Sequence, residues 1–496
     1  MYNRTNLSPE LNDLAYELAD KARDAGLDFF DTIFEVVDYK QLNEIAAYGG
    51  FPTRYPHWRF GMEYERLSKS YTYGLSVIYE MVINNDPCYA YLLRANDFVS
   101  QKTVIAHVYG HCDFFKNNYW FSRTNRKMLD QIANHASTIR RMIEDVGHDE
   151  VEDFVDQCLS LENLIDIYAP FSDEERIELE EEESYRQKPV KKMKAKKYMD
   201  SYINPQEFLT ALSDKQAVRE AAKKSFPESP ERDILAFLLE HAPLSAWQKR
   251  VLSIVRAESY YFAPQGQTKI LNEGWATYWH SEMMTRIAPL EASEIVDYCS
   301  QYAGIVATHN NQVNPYKLGV ELLRHVRKRW DRGQFGVDFI NCTDPKTRAN
   351  WDTQAGKGNE KLFEIRRIHN DITFIDAFLD EDFCHEHKMF IYDFDRRTNR
   401  YVISSRNFKD IKHQLLNQLT NFGQPIILVK DGNFKNRGEL LLQHNHEGTD
   451  LRHEYSLECL RALHKLWKRP VHLETIIEDV HRRISFDGSN HNVEKI

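Results

Sequence analysis

Two histidines spaced four residues apart are the clearest candidates for chemistry in this sequence. They are His107 and His111, in a stretch from residue 103 to 118 that lacks proline and is predicted to form a buried helix. At about 100° per residue, a spacing of four places both imidazoles on one helix face. Two imidazoles so placed can bind one metal ion, as in helical zinc sites. The structural alternative is a pair of core histidines beside aromatic residues.

A second motif supports the metal-site interpretation. In the run LNEGWA (271–276), Glu273 stands near a predicted helix start and is followed by glycine and tryptophan. The run resembles the Glu-Gly-Trp-Ala element of helical metallopeptidases, in which this glutamate is the third metal ligand after two histidines. The resemblance implies a site made of His107, His111 and Glu273, with Zn²⁺ as the cofactor. His280 lies two helical turns after Glu273 on the same face and is predicted to shuttle a proton, orient a ligand or act as a fourth ligand.

The residue after the first histidine departs from the zinc-peptidase pattern. Those enzymes place a glutamate there as general base, whereas this chain has Val108. Hydrolysis would therefore need a base from another part of the chain. We predict Glu65 as the catalytic carboxylate, because it lies in an unusually polar and aromatic stretch. The other candidates by residue type, each with an exposed or ion-paired carboxylate as the alternative interpretation, are Glu63, Glu80 and Glu258.

Composition indicates a globular protein whose cysteines are in the reduced thiol form. Of 496 residues, 42% are hydrophobic and 12% aromatic, which excludes a disordered chain, and the net charge of −11 argues against a protein that binds nucleic acid over its whole surface. Seven cysteines are dispersed without a CxxC pair, which favours the cytosol over an oxidising compartment. Residues 1–26 lack the apolar core of a secretory signal, and no long apolar stretch follows. We expect a cytoplasmic protein without a membrane span.

The order of predicted elements indicates an α+β fold. A large, mostly helical, metallopeptidase-like domain is expected over residues 1–171 and 201–385, interrupted by a charged excursion at 172–200. A smaller α+β domain is expected over 386–496. Within the large domain, the pattern predicts a helix starting at Ser229-Pro230-Glu231, a loop at residues 263–266 and a helix over 272–287.

Two further segments have open interpretations. The excursion carries an acidic block followed by a lysine run, and it is either a solvated segment or a docking segment for a protein partner. The lysine run is also a candidate for nucleic-acid binding. The polar cluster at 307–312 is either a substrate loop or a helix-capping turn.

Several long motifs in one order resemble the stage V sporulation protein R (SpoVR) family of bacteria. The resemblance covers nearly the whole chain and implies a link to spore cortex formation or, in bacteria that make no spores, to a stress pathway containing a serine protein kinase. It implies no catalytic residues. The motifs that carry it are PHWRFGMEYE (56–65), NNDP (84–87), HVYGHCDFFKNN (107–118), LNEGWA (271–276), NPYKLG (314–319), FEIRR (363–367) and NDITFID (370–376).

Two functional hypotheses follow from the residues and the resemblance together. The first is a zinc-dependent hydrolase that acts on an amide bond, such as one in a cytosolic cell-wall precursor or in a protein. The second is a non-catalytic regulatory or scaffold protein with protein partners in a kinase-linked stress or sporulation pathway, and Val108 favours it. The sequence leaves the oligomeric state open.

Overall fold

The computed structural model describes residues 7–72, 80–172, 226–288, 290–307 and 313–496. The predicted charged excursion, apart from Ser172, and the polar cluster beyond Ala307 lie outside these residues. By its internal contacts the chain forms two compact units that alternate along the sequence. Unit 1 comprises Met1–Gly147 and Tyr261–Gly423, and unit 2 comprises His148–Tyr260 and Gln424–Ile496. The four predicted domain ranges remain a prediction.

The described residues form helices and short strands in the following order. The helices are α1 (Pro9–Asp24), α2 (Tyr39–Ala47), α3 (Trp58–Thr72), α4 (Phe98–Asn117), α5 (Met128–Val146), α6 (His148–Ser160), α7 (Ile234–His241), α8 (Ala246–Gln267), α9 (Lys269–Glu282), α10 (Ile295–Ile305), α11 (Pro315–Asp331), α12 (Gly336–Ile340), α13 (Pro345–Ala349), α14 (Gly358–Ile368), α15 (Asp371–Phe378), α16 (Glu381–Glu386), α17 (Phe408–Leu419) and α18 (His453–Trp467). The strands are β1 (Thr32–Val37), β2 (Glu80–Ile83), β3 (Cys88–Leu93), β4 (Ile391–Asp395), β5 (Arg400–Ser405), β6 (Ile426–Phe434), β7 (Glu439–Asn445), β8 (Val471–Ile477), β9 (Val480–Phe486) and β10 (His491–Lys495).

The α+β class is confirmed, and unit 1 is mostly helical around α4 and α9. Both helices are buried on almost every side, as expected for helices that lack a continuous polar face. Helix α9 packs between α4 and α11. The predicted buried helix corresponds to α4, and the predicted helix over 272–287 corresponds to α9 and a following π-helical turn, Met283–Ile287.

Glycines allow the three central helices to approach closely. A Cβ on Gly110 of α4 would lie 2.7 Å from the Cα of Ala276 in α9. A Cβ on Gly274 of α9 would lie 2.5 Å from the Cα of Gly319 in α11. These separations are well below ordinary carbon–carbon contact, so any side chain larger than hydrogen would force the helices apart.

Two buried aspartates fix the ends of these helices. Asp113 of α4 accepts hydrogen bonds from Trp275 Nε1 at 2.8 Å and from Arg366 at 3.0 Å, and so ties α4 to α9 and α14. Asp371 accepts the backbone N–H groups of Ile270 and Leu271, each at 2.8 Å. These two N–H groups belong to the first turn of α9, where no intrahelical acceptor exists, so Asp371 stabilises the start of that helix.

Two local expectations for the helical region were wrong, and one small sheet was not predicted. Residues before α4 include a small sheet of order β1-β3-β2 that the mostly helical interpretation missed. The predicted loop at 263–266 is helical: Pro264 lies inside α8, and the Thr268 hydroxyl donates to its carbonyl at 2.7 Å. The predicted helix start at Ser229 is absent because Glu231 instead pairs with Val429 through two backbone hydrogen bonds.

Unit 2 contains a five-stranded sheet of order β10-β9-β8-β7-β6, in which β7 and β8 run parallel and the other neighbours antiparallel. One face of the sheet carries buried apolar residues and packs on α18. The apolar runs at 425–429, 438–442 and 471–477 predict strands and the pattern at 455–467 predicts a helix, and these correspond to β6, β7, β8 and α18. The sequence did not predict β9 and β10. Within the described ranges, no helix combines the length and apolar composition needed to cross a bilayer.

Candidate metal centre

Helix α4 brings His107 and His111 to one buried face. Their side chains retain 7% exposure each, and the ring centroids lie 4.5 Å apart with the planes nearly perpendicular. The one-turn spacing of the two residues produces this arrangement directly, because positions i and i+4 are neighbours on a helix surface. The predicted helical face of two imidazoles is therefore present.

Helix α9 adds Glu273 to the same point. Its Oε2 atom lies 3.6 Å from His107 Nε2 and 3.5 Å from His111 Nε2. Ligand atoms of these three residues all lie within 4.8 Å of one another, and all three residues are buried. The separation of about 160 residues along the chain is thus closed by the packing of α9 on α4.

These distances fit a tetrahedral zinc ion. With ligand bonds of about 2.0–2.1 Å and tetrahedral angles, ligand atoms should lie about 3.3–3.4 Å apart. The two observed nitrogen–oxygen distances exceed that value by only a few tenths of an ångström. Glu273 Oε2 is buried and has no hydrogen-bond partner in the described protein, which is costly for a carboxylate oxygen unless a cation binds there.

Neighbouring side chains prepare the ligand atoms for a metal. The Nδ1 atom of His111 lies 2.9 Å from Asn272 Oδ1, an acceptor, so the ring donates from Nδ1 and keeps a lone pair on Nε2. Lys269 Nζ binds the other carboxylate oxygen of Glu273, Oε1, at 2.8 Å. Each partner therefore leaves free the atom that faces the centre.

His280 supports the other imidazole. Its Nδ1 lies 3.0 Å from Nδ1 of His107, and the two rings are 5.2 Å apart. Burial and the nearby charges of His107 and Arg324 hold the pKa of His280 well below its usual range. A neutral His280 can accept the Nδ1–H of His107, which would leave Nε2 of His107 available as a ligand.

The charges of the site follow from its burial and its pairing. Burial alone would raise the pKa of Glu273, but its close contacts with the imidazoles of His107 and His111 and the charge of Lys269 hold that pKa well below its usual range. Burial would lower the pKa of His111, yet its contacts with Glu273 and Asn272 outweigh this effect and raise it. The site thus holds a carboxylate anion in a buried place, where a cation is favoured.

Glu80 and Tyr316 complete the surroundings. Glu80 of β2 places Oε1 4.0 Å from His107 Nε2, and burial raises the pKa of its carboxyl group. Tyr316, in the first turn of α11, stacks its ring 6.3 Å from that of His107. Burial, followed by the charges of Glu273 and Glu80, raises the pKa of the Tyr316 phenol, which therefore stays protonated.

Comparison with known proteins identifies the family. A profile described as SpoVR like protein matches residues 6–424, and one described as SpoVR-like C-terminal domain matches residues 425–478. The chain belongs to the SpoVR family. A relative from Escherichia coli (strain K12), named "Uncharacterized protein YcgB", is 31% identical over 483 residues, covering 91% of this chain and 89% of the relative. No solved structure matches.

The SpoVR motifs contribute most of the site. HVYGHCDFFKNN supplies both histidines and the close-packing Gly110, LNEGWA supplies Asn272, Glu273 and Gly274, and NPYKLG supplies Tyr316 and Gly319. Asn118, at the end of the first of these motifs, donates to the backbone carbonyls of Arg366 and His369.

Among the predicted site residues, the structure brings together His107, His111 and Glu273, with His280 beside them. Glu65 lies on α3 with its side chain 66% exposed and Lys69 Nζ at 3.2 Å. Of the four candidate bases, Glu80 contacts His107 within the part of the chain that the structure describes. Sequence reasoning missed Lys269, Asn272 and Tyr316 as site residues. Lys269 and Asn272 could have been found from their positions four residues and one residue before Glu273. Tyr316 could have been found from its place in the NPYKLG motif.

Proposed function

We propose that this SpoVR-family protein is a zinc-dependent hydrolase that acts on an amide bond. The observation that carries the proposal is the convergence of His107 Nε2, His111 Nε2 and the unpartnered Glu273 Oε2 at metal-ligand distances. Three protein ligands of types N, N and O are typical of catalytic zinc sites, which keep a position for water or substrate. Structural zinc sites usually have four ligands rich in cysteine.

The bound ion and the nearby side chains have separate tasks in this proposal. When bound, zinc supplies Lewis acidity that polarises a carbonyl group and makes water a usable nucleophile near neutral pH. Glu80 takes the place of the missing glutamate at Val108: its carboxylate accepts a proton from the attacking water and returns it to the leaving amine nitrogen. Its position 4.0 Å from His107 Nε2 supports this role.

His280 and Tyr316 have supporting roles in the same proposal. His280 orients His107 by accepting its Nδ1–H, and a proton on its own Nε2 completes the neutral tautomer. Tyr316, which keeps its phenolic proton, can donate a hydrogen bond to a substrate oxygen. The sequence-based choice of Glu65 as base remains a prediction, and its exposed position beside Lys69 gives it no support.

Metal content and turnover test this proposal together. Wild-type protein that is loaded with zinc and then desalted should carry about one zinc ion per chain. Inductively coupled plasma mass spectrometry measures this metal content. His107→Ala and Glu273→Gln should lose it while their circular dichroism spectra stay native. His135→Ala is the matched control, because His135 is also a buried histidine of a unit 1 helix but lies outside the metal group. It should retain zinc.

The base is tested with a panel of amides that includes soluble muramoyl peptides, the substrate class that a cortex role suggests. Glu80→Gln should retain zinc and lose at least 100-fold in turnover, within the usual contribution of a general base. Glu65→Gln should match wild type. Loss of zinc in Glu80→Gln would make Glu80 a ligand instead. Wild-type protein that binds no zinc after loading would contradict the proposal.

A regulatory or scaffold function is the second candidate. Val108, fully buried where zinc peptidases have their base, is the observation that favours it. In that case the metal would hold α4 to α9, and the protein would act through partners in a kinase-linked stress or sporulation pathway in the cytoplasm. Stoichiometric zinc without turnover of any amide, together with a large loss of thermal stability on chelation, would support this second function.

A further inference from the structure

The second face of the unit 2 sheet carries polar side chains in ordered rows. Leu440, Val471 and Ile484 are buried on the apolar face of the sheet, and α18 packs on β8 and β9. Because side chains alternate along a strand, their neighbours Glu439, His472 and Ser485 point to the opposite face. These three residues stand on the adjacent strands β7, β8 and β9, with His472 and Ser485 directly paired.

The three side chains form a continuous hydrogen-bonded chain. His472 Nδ1 lies 2.7 Å from Ser485 Oγ, and His472 Nε2 lies 2.9 Å from Glu439 Oε2. Arg437 binds the second oxygen of Glu439 at 2.7 Å. The Phe434 ring lies 5.1 Å from the imidazole. A carboxylate accepts only, so Nε2 of His472 carries the hydrogen and Nδ1 keeps a lone pair for the serine O–H.

This order of groups is the one that activates a serine. A nucleophile within hydrogen-bond reach of a base, which is itself oriented by a third group, is the structural signature of covalent catalysis. The same constellation occurs on unrelated folds and is recognised by geometry. Burial lowers the pKa of His472, so the ring is neutral and able to accept a proton near neutral pH.

The next strand adds a donor beside the serine. Asn492 of β10 is the cross-strand partner of Ser485 and is exposed. Directly paired residues point to the same face with Cβ atoms about 4.5–5.5 Å apart, so the Asn492 amide can reach an oxygen of a group bonded to Ser485. Acid, base, nucleophile and amide donor thus follow one another across four neighbouring strands.

We propose that Ser485, His472, Glu439 and Asn492 form an acyl-transfer site in unit 2 that takes carboxylic esters. Ser485 Oγ bonds to the ester carbonyl carbon while its proton moves to His472 Nδ1. The carbon–oxygen bond of the ester breaks, and the leaving alkoxide takes that proton from His472. Water then hydrolyses the acyl-serine by the same proton transfers in reverse. Esters fit better than amides, because a single side-chain donor stabilises the oxyanion less than the paired donors used for amide cleavage.

A neighbouring row on the same face provides the structural comparison. Glu474 of β8 binds Lys430 and Arg483, each at 2.7 Å, and Arg483 also binds Glu494 at 2.9 Å. That row contains only ion pairs and no nucleophile, so it stabilises the sheet without offering chemistry. A substitution that breaks this row of ion pairs should therefore leave the reactivity of Ser485 unchanged.

The test uses a fluorophosphonate probe, which reacts with activated serines, on the full-length protein. Mass spectrometry should find the adduct on Ser485, and Ser485→Ala should abolish it. His472→Gln should slow labelling at least ten-fold with an unchanged melting temperature. Glu474→Gln, which breaks the neighbouring row, is the matched control and should label at the wild-type rate. Labelling should persist in chelator-treated protein, since the inference does not rest on the metal centre.

Two results would overturn the inference. The first is folded wild-type protein that gives no adduct on Ser485. The second is His472→Gln that labels as fast as wild type. If His472→Gln does not fold, Glu439→Gln takes its place, and an unchanged labelling rate in that folded variant would equally assign the row to sheet stability.

Discussion

The Gly110→Ala substitution adds a methyl group where α4 and α9 are in contact. The new Cβ would lie 2.7 Å from the Ala276 Cα, and ordinary contact begins near 3.4 Å. The two helices must therefore separate locally by at least about 0.7 Å, because neither backbone can compress. His107 and His111 are on one side of this contact and Glu273 is on the other.

The same displacement acts on the three candidate ligands. The nitrogen–oxygen distances of 3.5 and 3.6 Å would increase toward about 4.2 Å, beyond the roughly 3.3 Å that tetrahedral zinc requires. We expect the zinc affinity to fall at least ten-fold, the lower end of what displaced supporting groups usually cost. Overpacking costs about 1–3 kcal/mol, partly offset by the higher helix propensity of alanine, about 1 kcal/mol. The variant should therefore fold.

Zinc competition with a chromophoric chelator measures this affinity, and thermal unfolding followed by circular dichroism confirms the fold. Gly61→Ala is the matched control, since Gly61 also lies in a unit 1 helix but a Cβ there would meet nothing within 4 Å. It should keep both zinc affinity and stability. A folded Gly110→Ala protein with wild-type zinc affinity would refute the claim that this helix contact sets the ligand spacing.

Three further predictions concern a neighbour of His111 and two residues at the ends of α9 and α4. Asn272→Ala should keep the fold and weaken zinc binding 10–100-fold in the same competition assay, because the His111 ring loses the acceptor that fixes its tautomer; unchanged affinity would contradict this role. Burial raises the pKa of Asp371 from 3.8 to about 7, so its ionised form is disfavoured in the fold and stability should fall as pH rises from about 4 to 7, by up to roughly 4 kcal/mol. Urea unfolding at several pH values should show a smaller fall for Asp371→Asn, and identical slopes would exclude the effect. Asn118→Ala leaves two backbone carbonyls at 366–369 without their donor and should cost about 1–3 kcal/mol in urea unfolding, whereas a cost near zero would show that water replaces the amide.

The sequence could predict the three candidate ligands because each lies in a regular helix. A spacing of four fixes His107 and His111 relative to each other before any tertiary contact forms. The resemblance of LNEGWA to a metallopeptidase element added Glu273. What the sequence could not show is that Gly110 and Gly274 are contact points between helices, since a glycine inside a helix does not reveal its neighbour.

The contact between Glu80 and His107 could not be predicted from local sequence. Glu80 stands in β2, a strand of four residues that is too short for its alternation to be recognised. It reaches His107 through sheet pairing and helix packing, both of which depend on distant residues. Glu65 lies in a motif with more distinctive composition, although the structure places its side chain in solvent.

The C-terminal sheet also contains strands that the sequence could predict and strands that it could not. Strands β6, β7 and β8 have dense apolar residues and were predictable, whereas β9 and β10 carry mostly polar and charged residues. Their place in the sheet follows from pairing with β8 and with each other, including the Glu474–Arg483–Glu494 ion pairs. Such cross-strand interactions cannot be read from one strand alone.

The order of the three candidate ligands along the chain has a consequence for biosynthesis. The two histidines leave the ribosome long before Glu273, because the segment 148–260 of unit 2 is translated between them. The helix contact at Gly319 comes later still. A nascent chain therefore presents only the imidazole pair at first, and the group of three packed side chains can assemble only when translation has passed α11.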